Sequence, residues 1–198
     1  MSGIRSLFRG PGPKGYASAN SAPIRIDNTT NTLKAIVAGS GTTEVEVLST
    51  TPAPISLTAN TTLSAALHAV RPIMVNAAAG LTLTLPAATG SGARFRIFIG
   101  TLITSNNLIV QVGNANDFMR GFAYTKSDDS ASSSVTWATA NTGTLATESD
   151  TITWNRTTTG TAVVGDYLEI EDIAANVWAV ATENNASGTE ATPFSAAV

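Results

Sequence analysis

Residues 81–112 read LTLTLPAATGSGARFRIFIGTLITSNNLIVQV, and this stretch decides the fold class. Leu81-Thr82-Leu83-Thr84-Leu85 alternates apolar and polar side chains until Pro86 stops it. Small residues with Gly90 and Gly92 lead to Arg94-Phe95-Arg96-Ile97-Phe98-Ile99, which alternates and then turns apolar on both faces. Asn106-Asn107 turns the chain again before Leu108-Ile109-Val110-Gln111-Val112. A period of two bounded by Pro, Gly and Asn predicts half-buried antiparallel strands.

The same pattern extends in both directions. Ile24-Arg25-Ile26, Leu33 to Val37 and Thr43 to Leu48 read as strands before Pro52 and Pro54, which mark a boundary. Ser64 to Val70 is rich in Ala and fits a short helix or a strand. Beyond the central block, Tyr167 to Ile173 and Val177 to Ala181 read as a hairpin turning at Ala174-Ala175-Asn176. The prediction is an all-β chain: an antiparallel β-sandwich or jelly-roll-like domain with an extended N-terminal arm. The expected divisions are a basic arm at 1–23, N-terminal strands or a collar at 24–54, the main sandwich at 55–183 and a polar tail at 184–198. No repeat of solenoid period is visible in the sequence.

Charged residues make up 13% of the 198, about half the usual share. Thr occurs 30 times, which suits the exposed faces of strands. There is no Cys and a single His, so thiolate chemistry is excluded and a typical zinc site has no ligand set. The first residues lack the apolar run of a secretory signal, and no stretch approaches the ~20 apolar residues that span a bilayer. The expectation is a soluble chain made in a cytoplasm, without membrane or cofactor.

Charge is distributed unevenly: net +4 over residues 1–34, +2 over 35–126 and −9 over 127–198. A basic head and an acidic last third suggest contacts between copies or with a partner, or simply solvated loops. The arm combines Gly10-Pro11-Gly12-Pro13, which excludes helix and central strand, with Ile4, Leu7, Phe8 and Tyr16. Ile4, Leu7 and Phe8 also fit one amphipathic turn, with Arg5 and Arg9 opposite. Candidate contact residues are Ile4, Arg5, Leu7, Phe8, Arg9, Lys14, Tyr16 and Arg25, with Glu169 and Glu171 on the acidic side. A disordered terminus is the plainer reading of the arm.

Catalysis finds little footing. His68 has no Gly-x-Ser-x-Gly partner, and Gly90-Ser91-Gly92 reads as a strand connection. Glu169 and Glu171, with Asp166 and Asp172 nearby, share one strand, whereas paired catalytic carboxylates come from different strands of a groove. A solvated face, intersubunit ion pairs or a calcium site remain open for them. The Gly-rich segments lack a following helix for phosphate, and few aromatics interleave the bases, which weighs against nucleic acid. Trp137, Trp154 and Trp178 read as core residues, or as a sugar-binding platform.

Gly80 to Phe95, Asn114 to Gly121 and Gly165 to Val180 resemble virion proteins of tailed bacteriophages, in particular the capsid decoration or cement proteins. The resemblance covers roughly residues 70–182, and related patterns occur in phage fibre and tail proteins. It implies a β-sandwich, commonly a homotrimer, bound to the major capsid protein on the outer surface of a head, and it carries over no catalytic residue. A fibre module that binds a host receptor or glycan is the alternative.

Overall fold

The computed structural model describes residues 53–128 and 133–198, and before them the backbone of three strands. The chain divides into two compact units, Met1–Pro52 and Ala53–Val198. In the first unit β1 (Ile24–Asp27), β2 (Thr32–Ile36) and β3 (Glu44–Leu48) form an antiparallel sheet in the order β1-β2-β3. The arm, 1–23, lies outside the described residues.

The second unit is nearly all β, as predicted. In chain order it holds β4 (Ile55–Leu57), β5 (Thr61–Thr62), α1 (Ala65–His68), β6 (Ile73–Val75), β7 (Leu81–Thr84), β8 (Arg94–Ile99) and β9 (Leu108–Gln111). There follow β10 (Phe118–Ser127), β11 (Val135–Ala138), a 3-10 turn (Leu145–Thr147), β12 (Thr151–Trp154), β13 (Tyr167–Ala174), β14 (Val177–Ala186) and β15 (Phe194–Ser195). A seven-stranded sheet runs β11-β10-β14-β13-β8-β6-β4, and a five-stranded sheet runs β15-β12-β9-β7-β5.

The central block does not form the antiparallel set expected of it. From β4 to β9 successive strands alternate between the two sheets, so sheet neighbours are next-but-one in sequence and run parallel. The chain coils around the core instead of doubling back on itself. Period-two patterning reports which side chains are buried, and it is the same for either strand direction. Antiparallel pairing returns at β8–β13, β13–β14, β10–β11 and β9–β12, while the long β10–β14 ladder is parallel. The β13–β14 hairpin turns where predicted, with Asn176 in the left-handed region at φ 64°. Gly121 sits in the β10–β14 ladder at φ 151°, where an added Cβ would lie 1.8 Å from the Val180 carbonyl oxygen.

Between the sheets Leu81, Leu83, Phe95, Ile97, Ile99, Leu108, Val110, Ile152, Leu168 and Ile170 make one core with Trp154 and Trp178, all buried. Each such aliphatic or aromatic side chain contributes roughly 1.5–3 kcal/mol by leaving water. Residues 184–198 are not a tail. β14 continues in phase to Ala186 with Asn184 buried, and Phe194 on β15 faces the core beside Ile152. Asn184-Asn185 has the composition of a turn, which masks the continuation of the strand.

Candidate functional site

The acidic last third is largely used inside its own domain. Asp172 follows Leu168 and Ile170 on the buried face of β13, not the face of Glu169 and Glu171. Its carboxylate accepts the backbone N–H groups of Thr89 (3.0 Å), Gly90 (2.6 Å) and Ser91 (2.9 Å), and the Ser91 hydroxyl at 2.7 Å. Burial alone would raise its pKa, but these donors, led by Ser91, outweigh it and hold the group at about 2. The Gly90-Ser91-Gly92 turn is therefore a clamped strand connection. Asp117 holds the same loop from the other side by accepting Ala88 N–H at 2.8 Å.

Other buried carboxylates play the same part. Asp150 accepts the Thr151 hydroxyl at 2.7 Å and the N–H groups of Ala197 (2.8 Å) and Val198 (3.2 Å). Glu148 pairs with Arg120 at 2.6 Å and accepts the N–H groups of Thr142 (3.1 Å) and Gly143 (2.8 Å). The Arg120 hydrogen bond holds the Glu148 carboxyl below its usual range. Asp166 accepts Asn185 N–H at 3.1 Å and the Asn185 side-chain amide, fastening the loop before β13. Burial dominates there and pushes its pKa up, against those hydrogen bonds.

Glu169 and Glu171 stand on the outer face of the seven-stranded sheet, where Arg94 on β8 pairs with both, Glu171 at 3.5 Å. Proposed as intersubunit contacts, they are engaged within the chain. Ile4, Arg5, Leu7, Phe8, Arg9, Lys14 and Tyr16 lie outside the described residues, and Arg25 is placed only as a β1 position opposite Lys34. No group of three or more His, Asp or Glu able to hold a metal ion occurs among the described residues. His68 Nδ1 accepts Ser64 N–H at 3.0 Å, closing the turn of α1, and no carboxylate hydrogen-bonds it among the described residues. Trp154 and Trp178 are buried and Trp137 packs against the core, so none forms an exposed platform.

The exposed aromatics lie elsewhere. β10 presents Phe118, Phe122 and Tyr124 on the outer face of the large sheet, with Phe122 49% and Tyr124 39% exposed. Tyr167 on β13 and Phe98 on β8 share that face, their rings 5.9 Å apart. Between the two sets β14 presents Val177, Ala179 and Ala181 before Glu183, which pairs with Lys126. Glu183 keeps the Lys126 ammonium protonated, raising its pKa. At this end a cavity of about 190 Å³ is lined by Lys126, Asp166, Tyr167, Glu183 and Asn185, with Val163 and Val164 on its lip. Alternation marks the outward side of β13 and of the start of β8, whereas Phe118 to Tyr124 is an apolar run with Gly121 inside it and shows no face; which strands adjoin is not written in any one segment. No family model and no curated protein matches the chain.

Proposed function

We propose that this chain is a structural virion protein that binds the outer surface of a bacteriophage head and stabilises the capsid. The reading rests on the resemblance of residues 70–182, and one observation supports it over catalysis: the buried carboxylates are spent on holding loops. Asp117, Glu148, Asp150 and Asp172 end on backbone N–H groups, and a general acid or base needs a free position facing substrate. A subunit exposed on a particle needs loops that do not open, and these clamps supply that. Because the acidic third is paired internally, the basic arm is directed at the shell rather than at a neighbour's acidic surface. The assembly is a homotrimer on the major capsid protein.

The test is co-sedimentation of the purified chain with empty phage heads, beside sedimentation velocity of the chain alone. Trimers that saturate the heads are expected, and deletion of residues 1–23 is expected to abolish attachment while the sandwich stays folded. Undiminished occupancy after that deletion removes the arm from the reading. A full-length chain that never sediments with heads removes the capsid role itself.

A further inference from the structure

The two sheets turn unlike faces to the outside. The five-stranded sheet presents Thr62, Thr82, Thr84, Gln111 and Thr153 around a single Ile109, a mostly polar face without aromatic rings. On the seven-stranded sheet the register sets Tyr124, Glu183, Tyr167 and Phe98 side by side across β10, β14, β13 and β8. Neighbouring strands are about 4.8 Å apart, so Tyr124 and Tyr167 stand on either side of Glu183, roughly 10 Å from each other. One step along, Phe122 neighbours Ala181, whose small side chain leaves the floor low between the rows. The trough ends at the cavity of about 190 Å³ beside Lys126 and Asn185.

The chemistry of this strip selects its ligand. Lys126 is matched by Glu183, and Arg94 and Arg96 on β8 stand in register with Glu171 and Glu169 on β13, three cations against three carboxylates, so the strip carries no net charge to attract an ion. The same neutrality makes it a poor seat for the basic arm. It does offer ring faces that take apolar C–H surface, together with a closely placed ammonium, amide and carboxylate that donate and accept hydrogen bonds. A pyranose has both requirements in one ring: a C–H face to stack and hydroxyls at its edge.

We propose that the outer face of the seven-stranded sheet binds a neutral oligosaccharide, stacked between Tyr124 and Tyr167 with its hydroxyls on the Lys126–Glu183 pair. The site stands independently of the capsid reading, since it needs only this face open to solvent. Buried Asp166 and half-buried Asn185, hydrogen-bonded to each other, form its back wall and give it a fixed shape.

Saturation-transfer NMR on the full chain with maltohexaose, cellohexaose and chitohexaose tests it. Transfer to at least one of the three is expected. Tyr124→Ala should weaken that binding roughly tenfold, the worth of one stacked ring. Tyr124 is well exposed, so this variant should keep the parent melting temperature; Tyr167→Ala adds a second reading if it folds. Thr84→Ala on the opposite sheet should bind as the parent does. Absence of transfer to all three sugars overturns the proposal, as does binding that Tyr124→Ala leaves unchanged.

Discussion

The rim of the sandwich and the open face of its larger sheet use the same residue types for opposite ends. At the rim Asp172 is buried, accepts a fan of backbone and hydroxyl donors, and fixes the Thr89–Ser91 turn. On the face Glu169 and Glu171, one residue either side of Ile170 on the same strand, stand in solvent against Arg94. Two carboxylates next to each other in sequence thus differ in energetic weight because a strand alternates its faces. A charge that replaces water with several fixed donors is costly to remove, whereas an exposed pair is screened and contributes little. The net −9 of the last third is therefore a poor guide to surface potential.

Asp172→Ala tests the rim most severely. It removes the shared acceptor of the Thr89, Gly90 and Ser91 donors, whose loop is itself exposed and can recruit water, and a loss of about 3 kcal/mol is expected in urea unfolding. A loss below about 1 kcal/mol would show that the loop relaxes to water and that the rim resembles the face.

Acid titration separates the two regions next. Asp172 has a folded pKa of about 2, below its unfolded value of 3.8. A depressed carboxyl contributes stability that is complete above the unfolded pKa and is lost as pH falls toward the folded one. That shift is worth about 2 kcal/mol, lost between roughly pH 4 and pH 2. Asp166 has the opposite sign: its folded pKa is raised, so its ionisation costs stability, and that cost is relieved as pH falls through the folded value. Asp172→Asn should flatten the acid limb of stability against pH, measured by denaturant melts at several pH values. An unchanged limb would assign acid sensitivity to other groups.

Much of this was legible in the sequence, strand by strand. The alternation of Leu81 to Leu85 and of Tyr167 to Ile173 marked strands and their buried sides correctly. Followed strictly, it also puts Asp172 in phase with Leu168 and Ile170, so the clamp was readable as a buried acid, though its partners were not. Thr89 to Ser91 lie more than eighty residues away in the chain, and nothing local in either segment points to the other. The coil of β4 to β9 was hidden for a related reason, since hydrophobic period is blind to strand direction. Aromatic residues such as Phe122 and Tyr167 become one surface only through the β10–β14 and β14–β13 pairings, which are set by the packing of the whole core.

The smallest expected effects lie on the face and are the sharpest check on the contrast. Arg94→Ala removes the partner of both Glu169 and Glu171, yet Arg94 is exposed and both carboxylates reach water, so a loss within roughly 0.2–1 kcal/mol is expected. Because the pairs are open to solvent, raising the salt concentration to about 1 M, where the Debye length falls to about 3 Å, should shrink even that difference. The Asp172→Ala loss should persist in the same salt, because its donors are uncharged backbone groups and hydroxyls in direct short-range contact, which salt screens little. Equal salt sensitivity of the two variants, in parallel urea melts, would mean that burial does not separate the rim from the face.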